Sequence, residues 1–199
     1  MNHSTTAEFL PTSLWDGTFF TGTWTPIDST ATVVEPATGA SLGSIGMADS
    51  AAIAASAAMA AQVQRDWAAA SYETRAAVLR SAARVAEENA DVIVDWLVRE
   101  SGSTRGKAAF EASINLKALH EASALPSQAT GETLPSPDGK LTFARRRPLG
   151  VVGVIPPFNF PLYLAMRAVA PALALGNAVV LKPDPRTAVC GGFVIARIF

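Results

Sequence analysis

The amino-acid sequence predicts an α/β chain with a helical amino-terminal part, a β-hairpin arm and the start of a doubly wound parallel sheet. Three observations carry that expectation. Residues 49–125 hold four runs with apolar side chains at helical spacing. Residues 131–148 hold an Asp138-Gly139 turn between short extended segments. After Gly150 the order becomes strand, helix, strand within about 30 residues, which requires a parallel pair joined by a right-handed crossover.

In chain order, residues 1–30 mix Gly, Pro, Thr and aromatics and read as irregular chain with short strands. Thr32-Val33-Val34, the turn Glu35-Pro36-Ala37-Thr38-Gly39 and Ser41 to Gly46 form a tight β reversal. Asp49 caps an alanine-rich helix to about Ala70, with Ile53, Ala57, Ala60, Gln64 and Trp67 on one small-residue face. Ser71 caps a second helix, Glu73 in its first turn is favoured by the helix dipole, and Val78, Leu79, Ala82, Val85 and Ala86 form its buried stripe. A third helix begins near Ala90, buries Val92, Ile93, Trp96 and Leu97, and ends at Gly102. A fourth covers roughly Ser103 to Leu125.

Proline and glycine then bracket short extended segments, and Leu141 to Arg145 alternates as a half-exposed strand should. Val151 to Ile155 is wholly apolar, as a strand covered on both faces would be. Leu162 to Leu175 is helical, with Pro171 a kink or early break, and Ala178 to Leu181 is the next buried strand. Thr187 opens a last helix that reaches Phe199 in mid-stripe, as expected of a piece of something longer.

With 199 residues, 49% hydrophobic and 17% charged, the chain can bury a real core and is too apolar for disorder. A net charge of -1 argues against nucleic acid or an anionic membrane as partner. Arg145-Arg146-Arg147, the only basic run, reads as a solvated strand end or a subunit contact. The single cysteine, Cys190, excludes an internal disulfide, and His3 and His120 lack ligand-spaced partners, so no metal is expected. Met1-Asn2-His3-Ser4-Thr5-Thr6 carries no signal-peptide pattern, and the alanine tract at 51–61 is too poor in large side chains to span a bilayer. A cytoplasmic location follows as the expectation.

The chemistry concentrates in Pro156-Pro157-Phe158-Asn159-Phe160-Pro161 and at Lys182. A loop leaving a buried parallel strand sits at the carboxyl edge of the sheet, where ligands bind. The prolines stiffen it, so the Asn159 amide is either a pre-organised donor for an oxyanion or a partner for its own loop backbone. Lys182 ends the second strand and either meets a ribose or phosphate or reaches to water. No G-x-G-x-x-G opens the helix at Leu162, so a dinucleotide would bind unlike the common Rossmann manner. Cys190 has no acid or base near it in sequence and reads as a packing thiol, while Asp184 and Arg186 read as turn and cap residues.

These blocks resemble the NAD(P)-dependent aldehyde dehydrogenase superfamily. Pro156-Pro157-Phe158-Asn159-Phe160-Pro161 matches its proline-aromatic-Asn-Phe-Pro signature, and Ala170-Pro171-Ala172-Leu173-Ala174-Leu175-Gly176-Asn177 leading into Lys182-Pro183 matches its next block. The resemblance implies an incomplete aldehyde dehydrogenase fold. Residues 1–130 would be the helical part of the cofactor-binding domain, 131–148 the hairpin arm of the oligomerisation region, and 149–199 the first βαβ part of its sheet, with the catalytic domain absent. It implies Asn159 as the side-chain half of an oxyanion hole and Lys182 as a ligand of the cofactor ribose. Pro156, Pro157 and Phe158 would line the nicotinamide side, with Phe160, Tyr163, Leu164 and Arg167 as tunnel wall. Many members carry an acid three residues after the lysine, where this chain has Pro185, so NAD and NADP both stand as cofactors.

The implied reaction is thiolate attack on an aldehyde, hydride transfer, and thioester hydrolysis, in a homo-oligomer whose cysteine and glutamate lie beyond residue 199. The segment from Leu162 to Ala170 looks most like members acting on benzaldehyde or vanillin, and Arg167 suits a semialdehyde carboxylate. A CoA-acylating reductase and an inactive assembly module are the rival expectations.

Overall fold

The computed structural model describes residues 9–199, so the readings of Met1–Thr6 and His3 lie outside the described residues. A short helix, α1 (Thr12–Trp15), leads into four strands: β1 (Thr18–Phe20), β2 (Trp24–Pro26), β3 (Thr30–Val34) and β4 (Ser41–Gly46). They form one sheet in the order β2-β1-β4-β3, with antiparallel β1–β2 and β3–β4 pairs joined by a parallel Thr18↔Ile45 contact. The sequence exposes the β3–β4 reversal but not the first hairpin, whose three-residue strands are too short to register an alternation.

Trp15 fastens this sheet to the rest of the chain. Its fully buried ring meets Trp96 edge-on at 5.7 Å and lies 5.8 Å from Phe193, which in turn touches Trp24 at 4.9 Å. Gly43, at φ +139°, passes so close that a Cβ there would stand 2.6 Å from the Trp15 ring.

Four helices follow: α2 (Ser50–Ala69), α3 (Tyr72–Glu88), α4 (Ala90–Arg99) and α5 (Arg105–Ala124). Asp49 accepts from the Ala52 amide at 2.8 Å and Ser71 from Thr74 at 3.1 Å. Thr104, not Ser103, caps the fourth by accepting from Lys107 at 3.3 Å. Helix α4 stops at Arg99, and the left-handed turn comes later, at Gly102. Helix α2 buries no side chain fully, and Ile53 stays exposed. Two polar anchors dock it instead, from Gln64 Nε2 to the Gly176 carbonyl and from Trp67 Nε1 to the Leu173 carbonyl, each at 2.8 Å. Among the described residues, no helix is long and apolar enough to cross a membrane.

Strands β5 (Gly131–Leu134) and β6 (Thr142–Arg145) pair antiparallel around the Asp138-Gly139 turn, and every residue of both is exposed. The parallel pair follows: β7 (Val151–Val154), α6 (Pro161–Ala174) and β8 (Ala178–Leu181), in register from Val151↔Ala178 to Val154↔Leu181. Strand β7 is less covered than its apolar sequence predicts. Gly153 is exposed, and Ile155, 78% exposed, has already left the strand.

Pro171 does not break α6, which runs on to Ala174. The helix closes through Gly176 at φ +88°, whose amide bonds Leu173 O at 3.0 Å, while the Asn177 amide bonds Ala172 O at 2.9 Å, the paired pattern of a Schellman end. The buried Asn177 side chain then donates to Ala172 O and accepts from the Leu149 and Gly150 amides at 2.7 and 3.1 Å. Helix end and strand start are thereby one joint. In place of one helix from Thr187, the chain makes a 3-10 turn (Pro185–Thr187), a π turn (Val189–Phe193) and the short α7 (Val194–Ile198).

Gly43→Ala should destabilise the protein by on the order of 3 kcal/mol, because overpacking adds to backbone strain. Gly17→Ala, also at positive φ but in open space, should cost about 1 kcal/mol from strain alone. Equal melting temperatures for the two variants would contradict the Trp15 contact.

Candidate active site at the ends of the parallel strands

Strands β7 and β8 finish side by side, with the Lys182 amide donating to the Val154 carbonyl at 2.9 Å. The loops carrying Asn159 and Lys182 therefore leave one edge of the sheet. Two further contacts bind these loops together. The Arg186 guanidinium lies 3.7 Å from the centre of the Phe158 ring. Asp184 holds that guanidinium with both oxygens, at 2.8 Å each, and this hydrogen bonding drops the Asp184 pKa to about 2. Arg186 thus does more than close a turn. The Gly191-Gly192 pair of the π turn supplies the second contact. Cβ atoms on these glycines would come within 3.3 Å of Pro161 and 3.0 Å of Pro183, so the turn lies against both loops.

Asn159 itself is exposed, and its side chain makes no hydrogen bond among the described residues. Its neighbours are pinned. Phe158 lies beneath Arg186, and half-buried Phe160 has Lys107 Nζ 4.3 Å from its ring centre. Pro161, buried, opens α6, where its missing N–H is no loss. Phe160, at the capping position, offers no acceptor side chain. Glu111 of α5 takes that role from 51 residues away, its Oε1 accepting from the Leu162 and Tyr163 amides at 2.9 and 3.2 Å.

Glu111 is fully buried, and burial raises its carboxyl pKa against the opposing pull of those amides and Lys107. Its Oε2 has no hydrogen bond and stands 3.5 Å from Lys107 Nζ, an ion-pair distance. Sequence reasoning missed Glu111, although the signal was present. Ala108, Glu111, Asn115, Leu119 and Ala122 recur at helical spacing and form the buried stripe of α5. Glu100 repeats the device at the π turn, accepting from the Val189 and Cys190 amides at 2.8 and 2.6 Å. Cys190 is buried, and burial first, then the Glu100 charge, pushes its thiol well above the ordinary range, so a thiolate is disfavoured there.

Pro156 is buried, Pro157 exposed, and Tyr163 and Leu164 half-buried, while exposed Arg167 stands 5.7 Å from the Tyr163 ring. A shallow groove of about 480 Å³ runs along β7, lined by Val152 to Pro157, Leu164, Arg167 and Ala168. Phe158, Asn159, Phe160, Tyr163 and Lys182 lie outside its lining. Lys182 is exposed, its Nζ making only a 3.5 Å contact with the adjacent Pro183 carbonyl. Among the described residues, no cluster of His, Cys, Asp and Glu could hold a metal ion.

The profile of the aldehyde dehydrogenase family matches residues 24–199. The chain is 57% identical over 192 residues to a vanillin dehydrogenase of Amycolatopsis sp., covering 96% of this chain and 40% of that protein. It is 46% identical over 188 residues to a benzaldehyde dehydrogenase [NAD(+)] of Pseudomonas putida, covering 94% of this chain and 39% of that protein. The crystal structure of an NAD-dependent benzaldehyde dehydrogenase from Corynebacterium glutamicum superposes with a TM-score of 0.86 at 39% identity, over 94% of this chain and 41% of that one. The chain thus spans about 40% of the length of the relatives it matches.

Burial lifts the Glu100 pKa from an ordinary 4.5 to about 7. A folded-state pKa above the unfolded one means the stability from this group is complete below about 4.5 and lost as pH rises through about 7. The chain should therefore lose stability between pH 5 and 8, and Glu100→Gln should lose distinctly less over that interval. Denaturation curves at the two pH values decide it, and equal losses in both proteins would refute the assignment.

Proposed function

The chain belongs to the aldehyde dehydrogenase family, and from that premise we propose that the protein it forms part of oxidises aromatic aldehydes to their carboxylic acids with a nicotinamide cofactor. The supporting observation is the Asn159 amide, exposed and without a hydrogen-bond partner among the described residues, between two pinned aromatic rings at the carboxyl end of a parallel pair. An amide satisfying its own loop would be hydrogen-bonded there. Asn159 Nδ2 is instead free to donate to an aldehyde oxygen as a thiolate adds to the carbon and the oxygen becomes anionic. The attacking thiol is assigned to the protein beyond this chain, since Cys190 is buried and its thiolate disfavoured.

The residues at the strand ends fit a dinucleotide. Lys182 presents an exposed ammonium with one weak contact, suited to a ribose hydroxyl or phosphate. Pro156, Pro157 and Phe158 form the stiff backbone beside it. When bound, the dinucleotide supplies the hydride acceptor that no side chain offers. Asp184 is occupied by Arg186, and NAD is taken as the cofactor because the names of the Pseudomonas putida and Corynebacterium glutamicum relatives carry it. Phe160, Tyr163 and Leu164 give the aldehyde side an apolar, partly aromatic wall. Arg167 favours a second substrate reading, a semialdehyde whose carboxylate pairs with the guanidinium on the groove. The exposed hairpin of residues 131–148 is proposed to join subunits of a homo-oligomer.

NADH formation by the whole enzyme with benzaldehyde, vanillin and succinic semialdehyde tests this reading. The aromatic aldehydes should lead in kcat/KM, the reverse order would transfer the assignment to the Arg167 reading, and no turnover with any of them would refute it. Asn159→Ala should lower kcat by about 10²–10³, the effect of removing one oxyanion donor, with the KM for NAD nearly unchanged.

A further inference from the structure

We infer that Glu111 is a positioning residue for the Asn159 amide, acting from α5 through the first turn of α6. The inference rests on the reading of Asn159 as an oxyanion donor. Since the amide has no hydrogen bond among the described residues, its place is set by the backbone on either side. Downstream, that backbone is the entry to α6. Pro161 contributes no N–H, Phe160 offers no acceptor, and among the described residues only the Glu111 side chain receives the Leu162 and Tyr163 amides. The Leu164 amide then closes on the Phe160 carbonyl at 2.9 Å, carrying the constraint to the residue after Asn159.

The energetics of α5 do not explain a glutamate here. Its buried stripe is otherwise Ala108, Asn115, Leu119 and Ala122, and a buried carboxylate with one oxygen short of a hydrogen bond destabilises the helix layer that holds it. Lys107, one turn earlier on the same helix, reinforces the arrangement. Its ammonium stands 3.5 Å from Glu111 Oε2, donates to Ser103 Oγ at 2.8 Å, and lies over the Phe160 ring. A single turn of α5 therefore holds the loop exit by both backbone and side chain. A shift of about 1 Å in a group that must meet a reacting atom costs on the order of 10²-fold in rate.

The test is a double-mutant cycle in the whole enzyme. Glu111→Ala should lower kcat for the aromatic aldehyde by about 10²-fold and leave the KM for NAD nearly unchanged. Glu111→Gln keeps an acceptor oxygen and should restore most of that loss. In an Asn159→Ala background, Glu111→Ala should remove little more, because residues acting as a unit are not additive. Losses that multiply, or a glutamine variant as poor as the alanine one, would overturn the inference. Hydrogen exchange at the Leu162 and Tyr163 amides, read without turnover, should quicken in Glu111→Ala while α3 stays protected. Unchanged exchange overturns the positioning itself. A wild-type enzyme inert with every aldehyde overturns instead the role of Asn159, and the exchange result separates the two failures.

Discussion

A carboxylate buried in the helical layer and bonded to backbone amides far along the chain is the interaction on which this arrangement depends. Glu111 holds the entry of α6, and Glu100 holds the π turn that lies against Pro161 and Pro183. Burial raises both carboxyl pKa values, so each glutamate is held at a cost that packing alone does not repay. The loops that leave the β7–β8 pair thereby have positions referred to the helices behind it.

Charge placement around the loop follows the same economy. Arg186 and Lys107 cover the rings on either side of Asn159, and each is steadied by an acid of its own, Asp184 or Glu111. Cation–ring contacts of this kind contribute about 0.5–2 kcal/mol each, depending on exposure. Their effect here is geometric, since they fix the flanking side chains and leave the amide between them uncommitted.

Much of the architecture is legible in local sequence. Asp49 and Ser71 announce their helices, Asp138-Gly139 its hairpin, and the apolar runs around 151 and 178 the parallel pair, because each signal lies within a few residues of its effect. Asn159 and Lys182 stand out for the same reason, as polar residues at strand ends between prolines. Glu111, Glu100 and Asn177 did not: helical spacing places Glu111 on the buried stripe of α5, but the amides that these three side chains meet lie 51, 89 and 28 residues away, and spacing does not name such partners. The continuity of α6 through Pro171 was likewise hidden. A proline near a helix end costs little when the following glycine and asparagine cap that end so fully.

The joint at Asn177 makes the crossover a gauge of length. It levels the start of β7 with the close of α6, and four paired rungs later Val154 and Leu181 finish at the same height. The side chains along those rungs pack with the core at Val152, Val154, Val179 and Leu181, and it is the number of rungs that sets the level of the two exits. One residue gained or lost in either strand would stagger the two exits by a full peptide step, about 3.3 Å, and part the amide from the ammonium without altering a single atom of either.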